Sequence, residues 1–479
     1  MNILFDGFNG ELSEIVGNLL VKMPVDSYIV VQDAAAQSYV KPGGRVLGYE
    51  DCKHGTYGHV DWNTVRPIER DLIISMAYCE VITLKMLERL APAGIDVGTY
   101  EIRKRLYYRH LRYWNHLILE DKIQACIMNT IPHVMYDFVI YHLCRHYNIP
   151  VLLFYRMPTL PGKNISKYLL HEIEKPGIEF RQRYEELKSR LTPDEHNHVV
   201  LAPSMQAYFD EHQPNKKAVA FTGVIRKTAP WSPAGLLKKV RYYGKVLLSG
   251  DTGMMRNLIS WHWKASRVKA IYRELARTPD LSKKYIYVAL HYQPECTTSP
   301  MAGPFVHQIL MIQLLAHVLP KDVLLYVKEH PRENLVIDLS FYEDMHALPN
   351  VRLMPRNFDS QKLIDSSLAV ATGTGTAGWE ALLRGKPVIM FGHYFYQYAP
   401  GVFHVGSIEE CRAAVDEIVA GKAAPDINDL RLFLKAAEDF VIDGWADFRY
   451  EKLATISRQQ NLDKTSEALL RELRRHTGS

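Results

Sequence analysis

What this sequence lacks narrows its class first. Its six cysteines, Cys52, Cys79, Cys126, Cys144, Cys296 and Cys411, form no CxxC pair and keep no regular spacing. That argues against a disulfide framework or a structural zinc site and for reduced thiols in a cytosolic compartment. No apolar run approaches the length of a spanning helix. The opening stretch MNILFDGFNGELSEIVGNLL lacks a basic n-region and a small-residue cleavage site, and reads as a first strand and helix. There is no DxD triplet to clamp a divalent metal on a diphosphate, so neither metal nor cofactor is expected. Zinc-finger, helix-turn-helix and RNA-recognition signatures are also missing, so nucleic acid is not an expected partner. Internal repeats and low-complexity tracts are absent.

What is present is a chain of 479 residues, 47% hydrophobic, long enough for two or three domains. MNILFDGF, DSYIVVQDA and RDLIISMAY read as strands, and the aromatic stretch from Thr83 to Glu120 as helical. KIQACIMNT, MYDFVIYHLCRHYN and IPVLLFYR then form a strand, helix, strand unit. A second series runs KYIYVALHY, PFVHQILMIQLLAHVLP, DVLLYVKEHP, VRLMP, SSLAVAT and PVIMFG. Such alternation predicts α/β domains on parallel, doubly wound sheets. The expected boundaries are a first Rossmann-like domain over 1–225 with a helical insertion, a basic aromatic linker over 226–284, a second Rossmann-like domain over 285–430, and C-terminal helices over 431–479 packing back across both. Two such domains put a ligand cleft between them.

ATGTGTAGWEALLRGKPVIMFG, residues 371–392, contains a GxGxxG at Gly373, Gly375 and Gly378 between a strand and a helix. Glycines there let backbone N–H groups approach an anion. A dinucleotide site also wants an acid at the end of the next strand, and that strand ends in Gly392 and His393. No Lys-Ser or Lys-Thr follows at the Walker spacing. A phosphate site and a tight turn without ligand both remain open.

The strands of a parallel sheet deliver their following loops to one rim. In the second series these loops carry His291, Gln293 and Glu295, then Lys328, His330 and Pro331, then Thr372, Gly373, Thr374, Gly375 and Thr376, with Glu380 on the helix beyond. Imidazole, ammonium, hydroxyls and a glycine-lined turn suit a phosphate and a ribose. Each residue alone also fits a structural hydrogen bond. In the first domain, His133 and Asp137 of IPHVMYDF would share a helix face at a spacing of four. They are candidates for nucleophile or base and for proton carrier, or for an ordinary capping pair. Asp6 and Asn9, in the FDGFNG loop after the first strand, are the other first-domain candidates for the acceptor side.

Fourteen Lys or Arg against three acids lie between Arg226 and Lys284, interleaved with Trp231, Tyr242, Tyr243, Trp261 and Trp263. A basic aromatic segment can lie in an anionic lipid interface, or be a solvated linker between domains.

LHYQPECTTSP, VKEHP and ATGTGTAGWEALLRGKPVIMFG, in that order, resemble the capsular polysaccharide biosynthesis proteins. That family includes retaining Kdo transferases and is similar in its HP motif to bacterial sialyltransferases. The resemblance is strongest over residues 285–395 and looser over PHVMYDFVIYHLCRHYNIP. It implies a GT-B fold, two Rossmann-like domains facing a central cleft, and a CMP-activated ulosonic or nonulosonic acid as donor. Carried onto this chain, it implies Lys328 and His330 at the nucleotide, with Pro331 shaping the turn. It further implies Thr372, Thr374 and Thr376 near the donor phosphate, Gln293 and Glu295 near the sugar, and an aspartate of the first domain, Asp137, in catalysis. Many relatives are richer in serine where this chain has TGTGTAG.

The expected function is transfer of a Kdo-like or nonulosonic acid sugar from CMP to a lipid-linked or oligosaccharide acceptor for capsule or lipopolysaccharide, at the inner face of the cytoplasmic membrane. The expected location is cytoplasmic and peripheral to that membrane. The rival readings are a nucleotide-sugar epimerase of similar build and a non-catalytic glycan-assembly subunit.

Overall fold

The computed structural model describes residues 1–9, 12–32, 43–58, 60–87, 99–157, 165–213, 244, 263, 266–292, 295–330 and 339–477. The strands are β1 (Asn2–Asp6), β2 (Ser27–Gln32), β3 (Gly44–Gly48), β4 (Ala125–Met128), β5 (Val151–Arg156), β6 (Ser166–Leu170), β7 (Tyr285–Ala289), β8 (Leu324–Lys328), β9 (Val351–Leu353), β10 (Ala369–Thr372), β11 (Val388–Met390), β12 (Val402–His404) and β13 (Ile442–Asp443). They form two sheets, in the orders β13-β6-β5-β4-β1-β2-β3 and β12-β11-β10-β7-β8-β9. The second sheet is parallel throughout. The first is parallel from β3 to β5, with β6 and β13 added antiparallel at one edge. This is an α/β architecture built on two sheets.

Runs buried on both faces explain the parallel strands: ACIM of β4 and AVAT of β10 are buried at every position. In the first sheet β1 sits centrally, pairing Ile3 with Tyr28 on one side and Ala125 on the other. Its carboxyl end therefore lies at the middle of the rim.

RDLIISMAY, expected as a strand, is helical: Arg70–Ser75 and Ala77–Met86 follow one another across Met76. The Met76 N–H donates to Leu72 and the Glu80 N–H to Met76, which keeps the two turns in one bent helix. Leu72, Met76, Cys79, Ile82 and Met86 bury one side at helical spacing, and that period overrides the local run of isoleucines. The stretch expected to be helical from Thr83 to Glu120 is helical at Thr83–Met86 and over Tyr100–Glu120, and residues 88–98 lie outside the described residues.

Within the stretch read as a linker, residues 266–275 are helical and bury Val268 and Tyr272 in the core of the second sheet. Trp263 is exposed, with the Arg267 guanidinium 4.9 Å from its ring. Trp231, Tyr242, Tyr243 and Trp261 lie outside the described residues.

The C-terminal part returns to the first domain. Helix Ile427–Glu438 packs on helix Ile178–Arg190 through Phe433 and Phe180, and helix Arg458–Thr477 packs on Ser13–Lys22. At the junction of the domains the Gln397 amide donates to the carbonyls of Glu174 and Pro176. Gly177 sits there at φ +80°, where a Cβ would lie 2.3 Å from the Phe395 carbonyl oxygen.

Candidate functional site

The glycine turn after β10 is built by the protein's own groups. His291, directly after β7, is buried, and its Nε2 accepts the Thr374 N–H at 2.9 Å and meets the Thr372 hydroxyl at 3.0 Å. Burial, with a smaller effect of nearby His330, pushes the His291 pKa down to about 4. The ring is therefore neutral at pH 7, as its acceptor role requires. Its backbone is held by Gln308, whose amide oxygen accepts the His291 N–H at 2.7 Å.

The same contacts explain the GxGxxG. A Cβ on Gly373 would lie 3.1 Å from His291 Nε2, on Gly375 2.7 Å from Thr372 Oγ1, and on Gly378 2.3 Å from the Tyr396 hydroxyl. Internal packing alone leaves no room for a Cβ at Gly375 and Gly378 without a shift, and little at Gly373. The threonines divide likewise. Thr372 and Thr374 are fully buried; Thr372 accepts the Gly375 N–H at 3.0 Å, and the Thr374 hydroxyl donates to the Thr297 carbonyl. Thr376 alone of the three is exposed. Two of the hydroxyls expected at a donor phosphate are thus committed to the turn.

The turn after β8 differs. The Lys328 side chain is buried, and its ammonium donates to Ser360 Oγ at 2.7 Å. An ammonium has three donors, and among the described residues no carboxylate forms an ion pair with this one. Burial pulls its pKa down, with Asp359 opposing. His330 is half-buried, its ring 5.8 Å from that of Tyr292. Gln293 and Pro331 lie outside the described residues.

Glu295 is exposed and accepts the Thr297 hydroxyl at 3.1 Å. It stands near Tyr394, which also feels Arg156 at the end of β5 and packs edge-on to Tyr155. Here the two domains bring their rims together. Glu380, on helix Thr376–Leu382, is pushed up to about 7 by burial, with Arg384 opposing. Its neighbours include Tyr208 of the first domain.

In the first domain the expected His133–Asp137 helix pair takes another form. Helix Tyr136–His146 begins only after Met135, which has φ +93°. His133 is therefore in the preceding loop and shares no helix face with Asp137. The contact runs through the backbone instead: Asp137 Oδ2 accepts the His133 N–H at 2.8 Å, and Oδ1 accepts those of Val134 and Phe138 at 2.8 and 2.7 Å. The His133 ring donates through Nδ1 to the Ile131 carbonyl.

Asp6, at the end of β1, is buried and accepts the Tyr136 hydroxyl at 2.9 Å. Its pKa is pushed up to about 8, chiefly by burial and then by Asp137, against the Tyr136 hydrogen bond. At neutral pH this carboxyl holds its proton. Asn9 follows in the same loop, half-buried, its N–H donated to Gly7.

Sequence reasoning passed over two features of the second rim. Glu329, between Lys328 and His330, is buried and paired with Arg356, and Tyr396 donates to the Gly375 carbonyl. The signal for the first was an acid inside KEH, facing away from its neighbours.

The fold is α/β, built on two sheets whose rims carry these groups. Residues 253–420 match the family model described as capsule polysaccharide biosynthesis protein. The KpsC beta Kdo 2,7 transferase of Thermosulfurimonas dismutans is 18% identical, over 43% of this chain and 61% of that one, with a TM-score of 0.24. The same organism's KpsC beta Kdo 2,4 transferase is 13% identical over 65% and 79%, at 0.27. The UDP-GlcNAc 2-epimerase of Methanocaldococcus jannaschii is 11% identical over 92% and 99%, at 0.26. At such scores none of these likenesses bears on activity. No curated protein matches the chain in sequence.

Proposed function

We propose that this protein is a glycosyltransferase of capsule polysaccharide synthesis that moves a Kdo-like or nonulosonic acid from a CMP-activated donor to a growing glycan. The observation that carries this reading is the capsule-family match over 253–420, which covers the rim bearing Lys328, His330 and the glycine turn. The buried Lys328 ammonium, hydrogen-bonded to neutral Ser360 and influenced by Asp359 without an ion pair, supports a phosphate as its ligand. A single phosphate leaving as CMP needs no metal clamp, in keeping with a lysine and an imidazole as its partners.

On the first domain the reading assigns the reaction to the Asp6–Asp137 pair. Asp137 is the nucleophile or base, and Asp6, which keeps a proton near neutral pH, is the proton donor. Glu295 is the alternative acid on the second rim. Retention of anomeric configuration, a lipid-linked acceptor, and peripheral binding to an anionic membrane through 226–284 belong to the same proposal.

The test is incubation with mass-labelled CMP-Kdo, CMP-sialic, CMP-pseudaminic and CMP-legionaminic acids, with and without an oligosaccharide acceptor. The reading expects free CMP and a glycan heavier by one acid residue, only when acceptor is present. A new sugar nucleotide formed without acceptor would mark an epimerase, and no turnover of any donor a non-catalytic subunit.

A further inference from the structure

The turn after β8 has a charged anchor that the proposed donor contacts do not use. Glu329 is 1% exposed; its carboxylate pairs with the Arg356 guanidinium and accepts the Tyr342 hydroxyl. Arg356 lies over the Tyr272 ring, 4.6 Å from its centroid, and the Tyr272 hydroxyl donates to the Met354 carbonyl. Four pieces of chain meet here: the turn after β8, helix Leu339–His346, the helix over 266–275, and the turn after β9.

Side chains alternate along a strand, and β8 shows which face each residue takes. Leu325 and Val327 enter the cluster that holds Tyr272 and Tyr342. Tyr326 goes to the other face and stacks on Tyr285, 4.3 Å between centroids. Glu329 continues the Val327 side. Lys328 continues the Tyr326 side and reaches Ser360, on a helix whose Leu363 and Ile364 belong to that other cluster. Fixing Glu329 in one layer therefore turns Lys328 toward the opposite one.

An apolar residue at position 329 would serve the core as well, because a buried ion pair adds little net stability over apolar side chains of similar size. What the pair adds is a single orientation. We infer that Glu329, clamped by Arg356, Tyr342 and Tyr272, is a positioning residue that holds Lys328 at the phosphate of the bound nucleotide. This rests on the proposed function of the rim.

The test is calorimetric titration of CMP, UMP and UDP, with thermal unfolding, on wild type, Tyr342→Phe, and the paired apolar replacement Glu329→Met with Arg356→Met. The paired variant should unfold at or above the wild-type temperature while its CMP affinity falls about tenfold. Tyr342→Phe should lose about threefold, and nothing further once Lys328→Met is present, because it acts through that lysine. Unchanged CMP affinity in the folded paired variant would overturn the inference; if that variant does not fold, unchanged affinity in Tyr342→Phe would do so. Wild type preferring UDP would contradict the CMP donor alone, since the loss would then be read on UDP. Wild type binding none of the three nucleotides would overturn both.

Discussion

The two rims carry polar groups of similar kind and use them in opposite ways. On the first domain the acids face inward: Asp137 accepts three backbone N–H groups and Asp6 a tyrosine hydroxyl. On the second, the imidazole and two threonine hydroxyls build the glycine turn, while the Lys328 ammonium has neutral Ser360 as its hydrogen-bond partner. A polar residue at a strand end is thus informative only once its partners are counted. By that count the second rim offers a buried ammonium and the first a buried carboxyl whose pKa is raised to about 8.

The largest expected effect lies where the rims are joined. Gly177→Ala would force a left-handed φ on alanine and drive its Cβ onto the Phe395 carbonyl. A loss of about 2–5 kcal/mol is expected, read as a lowered unfolding temperature. A variant as stable as wild type would mean that this junction yields easily.

Asp137→Asn comes next. An amide can no longer accept on both sides, so one of the loop N–H groups loses its partner, at a cost of about 1–3 kcal/mol. Turnover should nearly vanish while CMP still binds. Retained turnover in a folded variant would leave Asp137 its capping role and shift the chemistry to Asp6 or Glu295.

Asp6 gives a pH signature. Its pKa rises from 3.8 in the unfolded chain to about 8 in the fold, so between those values the native state binds the extra proton. Its contribution to stability therefore declines as pH rises from about 4 to about 8 and is level above. Asp6→Asn should flatten that decline in denaturant unfolding measured across the window. An unchanged slope would place the titration elsewhere.

The most local effect of the series, confined to donor binding, is expected for His330→Ala. Loss of one hydrogen bond to phosphate, about 1.5–3 kcal/mol if charge-assisted, should appear in donor KM, with the fold intact. An unchanged KM would leave His330 a structural role beside Tyr292.

Much of the second domain was legible, because its strands are continuous apolar runs ending in polar loops. The short edge strands β12 and β13 were not, because three and two residues are too few to show a period. RDLIISMAY misled through two adjacent isoleucines, since its helical burial shows only when Leu72, Met76, Cys79, Ile82 and Met86 are counted together. In the site, the residue types were readable and their partners were not. The GxGxxG reads as a ligand cradle until His291, Thr372 and Tyr396 are seen to fill the space a Cβ would take. Likewise, nothing local in KEH announces Arg356, which comes to Glu329 from 27 residues away.

The central claim is that the Lys328 ammonium is held for the phosphate of a CMP donor, and CMP titration of wild type against Lys328→Met tests it directly. Removing one charge-assisted contact should weaken CMP by about 10- to 100-fold, with the variant still folded. Equal CMP affinity in the two proteins would contradict it.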